Sequence, residues 1–473
     1  MANQPDERLS PAPPPAVPAA APAPGRAADG AGATEGAGRA RALVARASGH
    51  LSPTGWVPLG VLVGLAGVQS FDLNAFGILA PDIRHTFHLS VATIDSIATL
   101  TGAVPVVFSV HLGYWGDRTN RVRLSVMCGL LWGVTAILTG LAPVLVVLIL
   151  ARTVGGVGQL TTETVYPSLL ADYYGSGALG SVFTSYRWIS QGLGLVGGPL
   201  AGFIAALLGW RVAFVALAVP TFAFAAWLSR LTEPARGASM GLSFGEPLRS
   251  VTEGFRRVRA IRSLRRTWMA AFLFGAGTLP LQTVLNNFFH DVYHLGDTAR
   301  GNVSLLYGLG GLVGIVYGGR LTNRALNSGR IPRLAQISGY LVVSCGVGIL
   351  VMSVVPYLGL SIAATAALTV GAFGFLPAYT TLVAFVASPR LRAQAYGWSL
   401  LWYALGAIVL QVAVVGPLIN GAGQRVALVV LGVLVIGGGL IGSSVHRFVE
   451  HDMGVAFGGE ADGGPEADPV QPS

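Results

Sequence analysis

The sequence Gly113-Tyr-Trp-Gly-Asp117-Arg118-Thr-Asn-Arg121-Val-Arg123 decides how the rest of the chain is interpreted. It is a short basic segment between two long apolar runs. A charged link this short predicts a tight turn between two membrane spans, on the side where positive loops accumulate. The simplest interpretation is an ordinary positively charged loop, so the meaning of the segment depends on its surroundings.

Composition places the chain in the membrane. Of 473 residues, 52% are hydrophobic and 11% are charged, whereas a soluble domain carries about 25% charged residues. Apolar stretches of about twenty residues recur, and each is long enough to cross the hydrocarbon layer. The net charge is +9, but no soluble basic domain is present, so we predict the lipid bilayer as partner and no nucleic acid. Cys128 and Cys345 fall inside spans, so no disulfide framework is expected.

The hydropathy pattern predicts an all-α membrane protein with twelve transmembrane helices in two six-helix halves. We expect a disordered tail at 1–50, a first half at 51–230, a linker at 231–267, a second half at 268–447 and a disordered tail at 448–473. The predicted spans are 55–80, 93–116, 124–142, 145–171, 180–208, 211–230, 268–291, 301–319, 334–355, 358–386, 393–419 and 426–446.

The positions of the Arg residues fix the expected orientation. With both termini in the cytoplasm, eighteen Arg residues fall in four cytoplasmic links, and only four lie on the other face (Arg84, Arg211, Arg300 and Arg425). The positive-inside rule therefore predicts cytoplasmic termini in a cell membrane. In the central link, apolar residues from Leu248 to Leu264 recur every three or four positions between Arg residues. We predict an amphipathic helix along the inner leaflet, although a specific partner for this helix is an alternative.

An internal repeat relates the two halves. Ala151–Leu160 matches Ala367–Leu376, and Gly198-Pro199-Leu200 recurs at 416–418. Gly113-x3-Asp117-Arg118 recurs as Gly319-x3-Asn323-Arg324. Three matches in the same order predict two parallel halves that move against each other around a site at the midplane.

Four ionisable residues lie well inside predicted spans: Asp72, Arg152, Glu163 and Arg187. Charge in a bilayer is costly and indicates function by default. Depth along the spans predicts two pairs, Asp72 with Arg152 and Glu163 with Arg187. Desolvation and a nearby Arg shift a carboxylate's pKa in opposite directions. A carboxylate whose contacts change between access states can therefore carry a proton, and the alternative is a static pair that only fixes helix packing.

Neutral polar and aromatic residues extend this constellation. Gln159 and Gln191 are expected to line the same cavity, although a packing role is equally compatible. The second half offers a weakly polar, aromatic wall, for which the alternative is ordinary packing or an interfacial belt. Its predicted members are Gln282, Asn286, Tyr379, Trp402, Tyr403 and Gln411.

Several motifs resemble those of the major facilitator superfamily. The loop of Asp117 resembles its G-x-x-x-D-R signature, and Arg152-x-x-x-Gly-x-Gly resembles its fourth-span motif. Gly194-x-x-x-Gly198-Pro199-x-x-Gly202 is similar to the fifth-span motif of its antiporters. Its three glycines are expected to form a small-residue stripe that lets helices approach closely. The resemblance implies a conformational gate that holds one access state closed. Its expected members are Gly113, Asp117, Arg118, Arg121, Arg123, Gly194, Gly198 and Pro199, with Asp117 accepting hydrogen bonds from the helix end near Ala393.

A narrower resemblance is to the Spinster-like branch, which moves lysolipids and sphingoid lipids. It is carried by Asp72 followed by Pro81-Asp82, by Gly116-Asp-Arg-Thr-Asn-Arg121, and by Pro167-Ser-Leu-Leu-Ala-Asp172. Two positions depart from that pattern. Leu73 replaces an Arg, and Gln159 stands where the branch has a Glu.

The sequence therefore predicts a secondary transporter. We expect it to be a monomer that exports a small amphipathic or lipid-like solute in exchange for protons. Protons are the only expected coupling ion, with no cofactor or metal. Catalytic Ser/His/Asp or metal-ligand spacings are not found, so no enzyme is predicted. The alternatives are an uncoupled facilitator, an organic-anion or drug transporter, and a transporter-like sensor that moves nothing.

Overall fold

The computed structural model describes residues 55–89, 91–237, 250–278, 285, 288–290 and 292–458. The regular elements of this part of the chain are helices. Those of the first half are α1 (Val57–Phe87), α2 (Val91–Val106), α3 (Ser109–Arg118), α4 (Arg121–Gly140), α5 (Leu145–Gln159), α6 (Thr161–Tyr173), α7 (Leu179–Leu208) and α8 (Trp210–Leu228). Those that follow are α9 (Val251–Ala260), α10 (Arg262–Thr278), α11 (Asp297–Asn327), α12 (Pro332–Val354), α13 (Leu358–Val386), α14 (Arg392–Leu410), α15 (Gly416–Ala422), α16 (Gln424–Ser444) and α17 (His446–Gly458).

The helices follow the order of the twelve predicted spans. Among the described residues, ten continuous helical segments are long and apolar enough to cross a bilayer. The second span is divided into α2 and α3, and the seventh begins with α10. The fourth span is divided into α5 and α6 at Leu160, and a π-helical turn at Gln411–Val415 interrupts the eleventh between α14 and α15.

Helix packing repeats between the halves, as the internal repeat predicts. In the first half α1 packs against α7, and α4 packs against α5 and α8. The corresponding pairs of the second half are α10 with α14, and α12 with α13 and α16. Between the halves, α3 packs against α14 and α7 against α11. The two interhalf contacts are therefore related by the same repeat.

Among the described residues, the apolar core joins the halves at one end. This is the Arg-rich end, where segments 118–123, 229–237, 250–261 and 387–392 lie together. Its core includes Tyr166 and Phe183 from the first half and Phe385 from the second. Two other cores, around Phe214 and around Cys345, each draw their buried residues from a single half. Because burial of apolar surface is the main cohesive force, the halves are held together chiefly at the Arg-rich end.

Glycines let α7 approach α1 closely, as the predicted small-residue stripe requires. A Cβ on Gly194 would lie 2.9 Å from the Cβ of Ser70. The tightest approach to main chain is at Gly197, which the predicted stripe did not include: its Cβ would lie 2.7 Å from the Cα of Phe71. The contacts of Gly198 are to the side chains of Ile78 and Asn74, and α7 continues through Pro199 without a break.

Gly197→Ala is expected to lower the free energy of unfolding by about 1–3 kcal/mol, because the added methyl overpacks a backbone contact. Gly192→Ala is the matched control on the same helix, since a Cβ there has no atom within 4 Å. Thermal unfolding of the purified protein in detergent compares the two variants. Equal unfolding temperatures would show that the α1–α7 contact is not tight.

The predicted amphipathic segment packs against the protein on its apolar side. Within its described part, residues 251–260 form a separate helix, and α10 begins at Arg262, before the predicted start of the seventh span at 268. Val258 and Leu264 are buried, and the ring of Phe255 lies 4.5 Å from that of Trp398. The apolar stripe therefore packs against the bundle itself, because aromatic residues of α10 and α14 offer it a protein surface.

The predicted disordered tail at 448–473 contains a helix up to Gly458. Val449 and Met453 of α17 are buried in the core of the Arg-rich end. The Asp452 carboxylate accepts a hydrogen bond of 2.6 Å from the backbone N–H of Ser263, in the first turn of α10. A carboxylate is stabilised at this position by the unpaired N–H groups and the dipole of the helix. The predicted tail at 1–50 lies outside the described residues.

Candidate transport site

The first acid–base pair lies inside the first half, as predicted. Asp72 on α1 is fully buried, and Nη1 of Arg152 on α5 lies 2.9 Å from its Oδ1 and 2.7 Å from its Oδ2. The Arg152 guanidinium also lies 4.6 Å from the ring centre of Phe76 and 5.6 Å from that of Phe214. Ring faces attract cations, so both the Asp72 carboxylate and the two phenyl rings stabilise the Arg152 guanidinium.

Gln159 joins this pair through its amide, whose Nε2 donates to Oδ2 of Asp72 at 3.3 Å. Asp72, Arg152 and Gln159 line a cavity of about 420 Å³, which we call the proton cavity. All its lining residues belong to the first half except Leu400 of α14. Gln159 therefore lines this cavity, whereas Gln191 lines a different one described below, so the two residues do not share a cavity as predicted.

The second predicted pair is also present. Nη1 and Nη2 of Arg187 on α7 donate to the two carboxylate oxygens of Glu163 on α6, at 2.5 and 2.6 Å. This is the bidentate geometry in which Arg binds carboxylates most strongly. Glu163 borders the proton cavity and also a second cavity of about 350 Å³, which we call the central cavity. Glu163 and Leu400 are the two residues that line both.

The central cavity lies between the halves. The first half contributes Glu163, Arg187 and Gln191. The remaining lining comes from α10 and from the later helices of the second half. Tyr379 and Tyr403 lie in this wall, as predicted. The Tyr403 hydroxyl is hydrogen-bonded to that of Thr278 at 3.2 Å.

Trp402 does not line either cavity, contrary to the prediction. Its ring stacks on Trp268 with 6.2 Å between ring centres and meets Phe272 edge-on. Trp402 therefore belongs to the aromatic packing at the Arg-rich end, because it points away from Tyr403 on α14. Gln282 and Asn286 lie outside the described residues. Gln411 lies in the π-helical turn, and its side chain is also outside the described part.

Asp117 closes the bundle at the Arg-rich end. Its Oδ1 and Oδ2 accept hydrogen bonds from the backbone N–H groups of Ala393 and Gln394, at 3.0 and 2.8 Å. These groups lie in the first turn of α14, so the predicted contact is confirmed. Gly113 makes the approach possible, because a Cβ there would lie 2.6 Å from the Ala393 carbonyl oxygen.

Burial raises the pKa of Asp117 to about 7, against the two N–H donors and the positive charges of Arg236 and Arg121. In water the same carboxyl titrates near 4. The closed contact therefore binds a proton more tightly than an open one would. The proton on Asp117 therefore stabilises the closed contact fully below pH 4, and this stabilisation is lost as the pH rises through 7.

We expect the closed-to-open ratio of the parent protein to fall by roughly a hundredfold between pH 5 and pH 8, relative to that of Asp117→Asn. Spin labels at positions 123 and 327 lie in different halves at the Arg-rich end. The distance between them reports whether this end is closed. A pH dependence that is identical in the two proteins would contradict this role of Asp117.

Arg121 lies at the centre of a buried charge cluster. Its Nη1 lies 2.5 Å from Oδ2 of Asp172, and its Nε lies 2.8 Å from Oε1 of Glu233. Oδ1 of Asp172 in turn lies 2.8 Å from Nη1 of Arg392, which begins α14. The side chains of Arg121, Asp172 and Arg392 are fully buried. Asp172 thus joins the first half to the second.

Sequence reasoning missed Asp172, Arg392 and Glu233 as gate residues. Asp172 was noticed only in the Pro167-x-x-x-Ala-Asp motif, and Arg392 counted only as loop charge. The excess of Arg over acid in these loops was the available signal, since a lone acid among many Arg residues serves as their counter-ion. Arg118 and Arg123 are exposed, and Arg118 donates to the Tyr114 hydroxyl on its own helix at 2.7 Å.

The second copy of the loop also makes an interhalf contact. Nδ2 of Asn323 on α11 lies 3.0 Å from the Ser181 hydroxyl, in the first turn of α7. This contact is related by the repeat to that of Asp117 with α14. Both copies of the loop therefore contact the opposite half, although the second contact is uncharged.

Comparison with known proteins agrees with this architecture. The model of the Major Facilitator Superfamily matches residues 62–411. Protein spinster homolog 1 of Homo sapiens is 24% identical over 63% of this chain and 58% of its own length. The chloramphenicol resistance protein of Streptomyces lividans is 26% identical over 56% of this chain and 66% of its own length. The first curated relatives matched are aligned over 33% to 64% of their own lengths.

A solved structure shows the same fold. The proton:xylose symporter XylE superimposes with a TM-score of 0.63 at 12% identity, over 81% of this chain and 94% of that one. The predicted twelve-helix architecture and the resemblance to Spinster proteins are confirmed. The chain therefore belongs to the Major Facilitator Superfamily, which is a family of transporters and not of enzymes.

Proposed function

We propose that this protein is a proton-coupled secondary transporter that exports a small amphipathic solute by alternating access. The observation that carries the proposal is the position of the Asp72–Arg152 pair, which is buried inside one half beside a cavity. That cavity meets a second one, between the halves, at Glu163 and Leu400. A buried ion pair in a membrane is more costly than apolar packing. Its presence favours a functional role over a structural one.

Asp72 is the proposed proton carrier. In the present arrangement its carboxylate is held by Arg152 and Gln159. A proton competes with Arg152 for the same oxygen atoms, so protonation removes the attraction that holds α1 to α5. Release of the pair would let the halves change their relative position, and return of the carboxylate to Arg152 would expel the proton. Glu163 and Arg187 are the second such pair, placed where both cavities meet.

The contacts at the Arg-rich end support the access state in which this end is closed. The Asp117 contact and the Asp172 cluster close this end, while the other apolar cores remain within single halves. We propose that this end faces the cytoplasm, that both termini lie there in a cell membrane, and that the protein works as a monomer. Reversal of access then requires both contacts to break.

Counterflow in proteoliposomes tests the function. The panel would contain chloramphenicol, a lysophospholipid, a lipophilic cation and an organic acid, each as a radiolabelled compound. We expect at least one compound to exchange across the membrane, and a pH gradient to drive its accumulation. Exchange without any effect of the gradient would establish an uncoupled facilitator. Absence of exchange for every compound, with the protein correctly inserted, would favour a sensor that transports nothing.

A further inference from the structure

The central cavity has a charged side and an aromatic side. Its formally charged lining residues are Glu163 and Arg187, both from the first half. The wall from the second half carries phenyl and phenol rings, among them Tyr307, Phe375 and Tyr403. The chemistry of this cavity therefore depends on which member of the ion pair a bound molecule meets.

The carboxylate is the more accessible member. The Glu163 side chain is 38% exposed, whereas that of Arg187 is 12% exposed. Both terminal nitrogens of Arg187 already donate to Glu163, and its Nε is buried without a partner. The carboxylate oxygens keep lone pairs that accept further hydrogen bonds. A molecule in the cavity thus meets a carboxylate that is more exposed and has free acceptor capacity, whereas the guanidinium is less exposed and directs both of its terminal nitrogens at that carboxylate.

An organic anion is disfavoured by the same arrangement. To bind Arg187 it must displace Glu163, which leaves that carboxylate without its partner. The negative faces of the aromatic rings would not compensate the anion. A cation keeps the ion pair intact, shares Glu163, and is attracted to ring faces.

We propose that the central cavity binds an amphipathic organic cation, with its charged group at Glu163 and its apolar body against the aromatic wall of the second half. The inference rests on the proposed transport function and specifies its substrate class. Glu163 is then the recognition residue for the cation, and Phe375 and Tyr403 are residues that contribute to its specificity.

Two probes of the same size and shape and opposite charge test this proposal: tetraphenylphosphonium and tetraphenylborate. Isothermal titration calorimetry on the purified full-length protein in detergent measures both, with titrations into empty micelles subtracted. We expect tetraphenylphosphonium to bind at least tenfold more tightly. Equal affinities, tighter binding of the borate, or no binding of the phosphonium would overturn the proposal.

Substitutions of Glu163 test where in the protein tetraphenylphosphonium binds. Glu163→Gln is expected to weaken tetraphenylphosphonium binding at least tenfold and to strengthen tetraphenylborate binding, since Arg187 loses its counter-ion. Glu163→Asp keeps the charge and should stay within about threefold of the parent, which shows that the fold survives change at this position. The matched control is Glu253→Gln, because Glu253 forms a comparable pair with Arg257 on α9, at 2.7 Å and away from the cavity. Its affinity should equal that of the parent.

The outcome separates this inference from the transport function. Unchanged binding to Glu163→Gln would refute the cation site even if a pH gradient drives transport of another compound. Asp72→Asn should bind tetraphenylphosphonium like the parent, because Asp72 does not line the central cavity. Loss of binding in that variant would show that the probe occupies the proton cavity instead.

Discussion

Asp172→Ala is expected to be the most destabilising substitution at the Arg-rich end. The Asp172 carboxylate lies between Arg121 and Arg392, and all three side chains are shielded from water. Removing one partner of a buried ion pair costs about 3–5 kcal/mol, because the remaining charge has no compensation. Here one substitution removes the Asp172 partner from two buried guanidinium groups at once, although Glu233 still neutralises part of the charge on Arg121. This is a large share of the total stability of a folded protein, about 5–15 kcal/mol.

Thermal unfolding in detergent measures this effect, with Asp82→Ala as the control because Asp82 is exposed on α1. The control should unfold like the parent. Adding Arg392→Met to Asp172→Ala should recover part of the loss, since it removes one of the uncompensated charges. If Asp172→Ala unfolded within a degree or two of the parent, the cluster would not be the structural link between the halves that we describe.

Asp72→Asn is expected to abolish accumulation driven by a pH gradient while exchange without a gradient continues. Asparagine has nearly the same shape as aspartate and can still accept a hydrogen bond from Arg152, but it carries no titrating proton. The binding surface of the central cavity is unaffected, because Asp72 lies outside it. Coupling and translocation should therefore separate in this variant.

A static role for the Asp72–Arg152 pair makes the opposite prediction. If the pair only held α1 to α5, Asp72→Asn would lower the unfolding temperature and both kinds of transport together. Arg152→Met in combination with Asp72→Asn distinguishes the two roles further. The double variant removes the remaining buried charge, so a purely structural protein should regain stability and all of its transport.

The spans and the intramembrane pairs could be predicted from the sequence because strong local rules govern them. Hydrophobic length identifies a span, and depth along two antiparallel spans predicts that Asp72 meets Arg152. The contact of Asp117 with α14 followed from the family resemblance and from the affinity of carboxylates for helix N-termini. Each of these depends on a few residues within one or two elements.

The charge cluster and the packing of α9 and α17 could not be predicted in the same way. Arg392 in a loop is equally compatible with solvent and with a buried partner 220 positions away, and the choice depends on the closed arrangement of both halves. A basic amphipathic helix such as α9 suits a membrane surface as well as a protein groove. Phe255 decides between them by packing on Trp268 and Trp398, which only the folded bundle brings together.

The most direct test of proton coupling through Asp72 measures the proton itself. Proteoliposomes that contain a pH-sensitive dye would receive a compound that shows counterflow in the parent protein. We predict that its entry changes the internal pH with the parent, and that Asp72→Asn transports the compound with no change in pH. An equal change in pH with Asp72→Asn and with the parent would contradict the account.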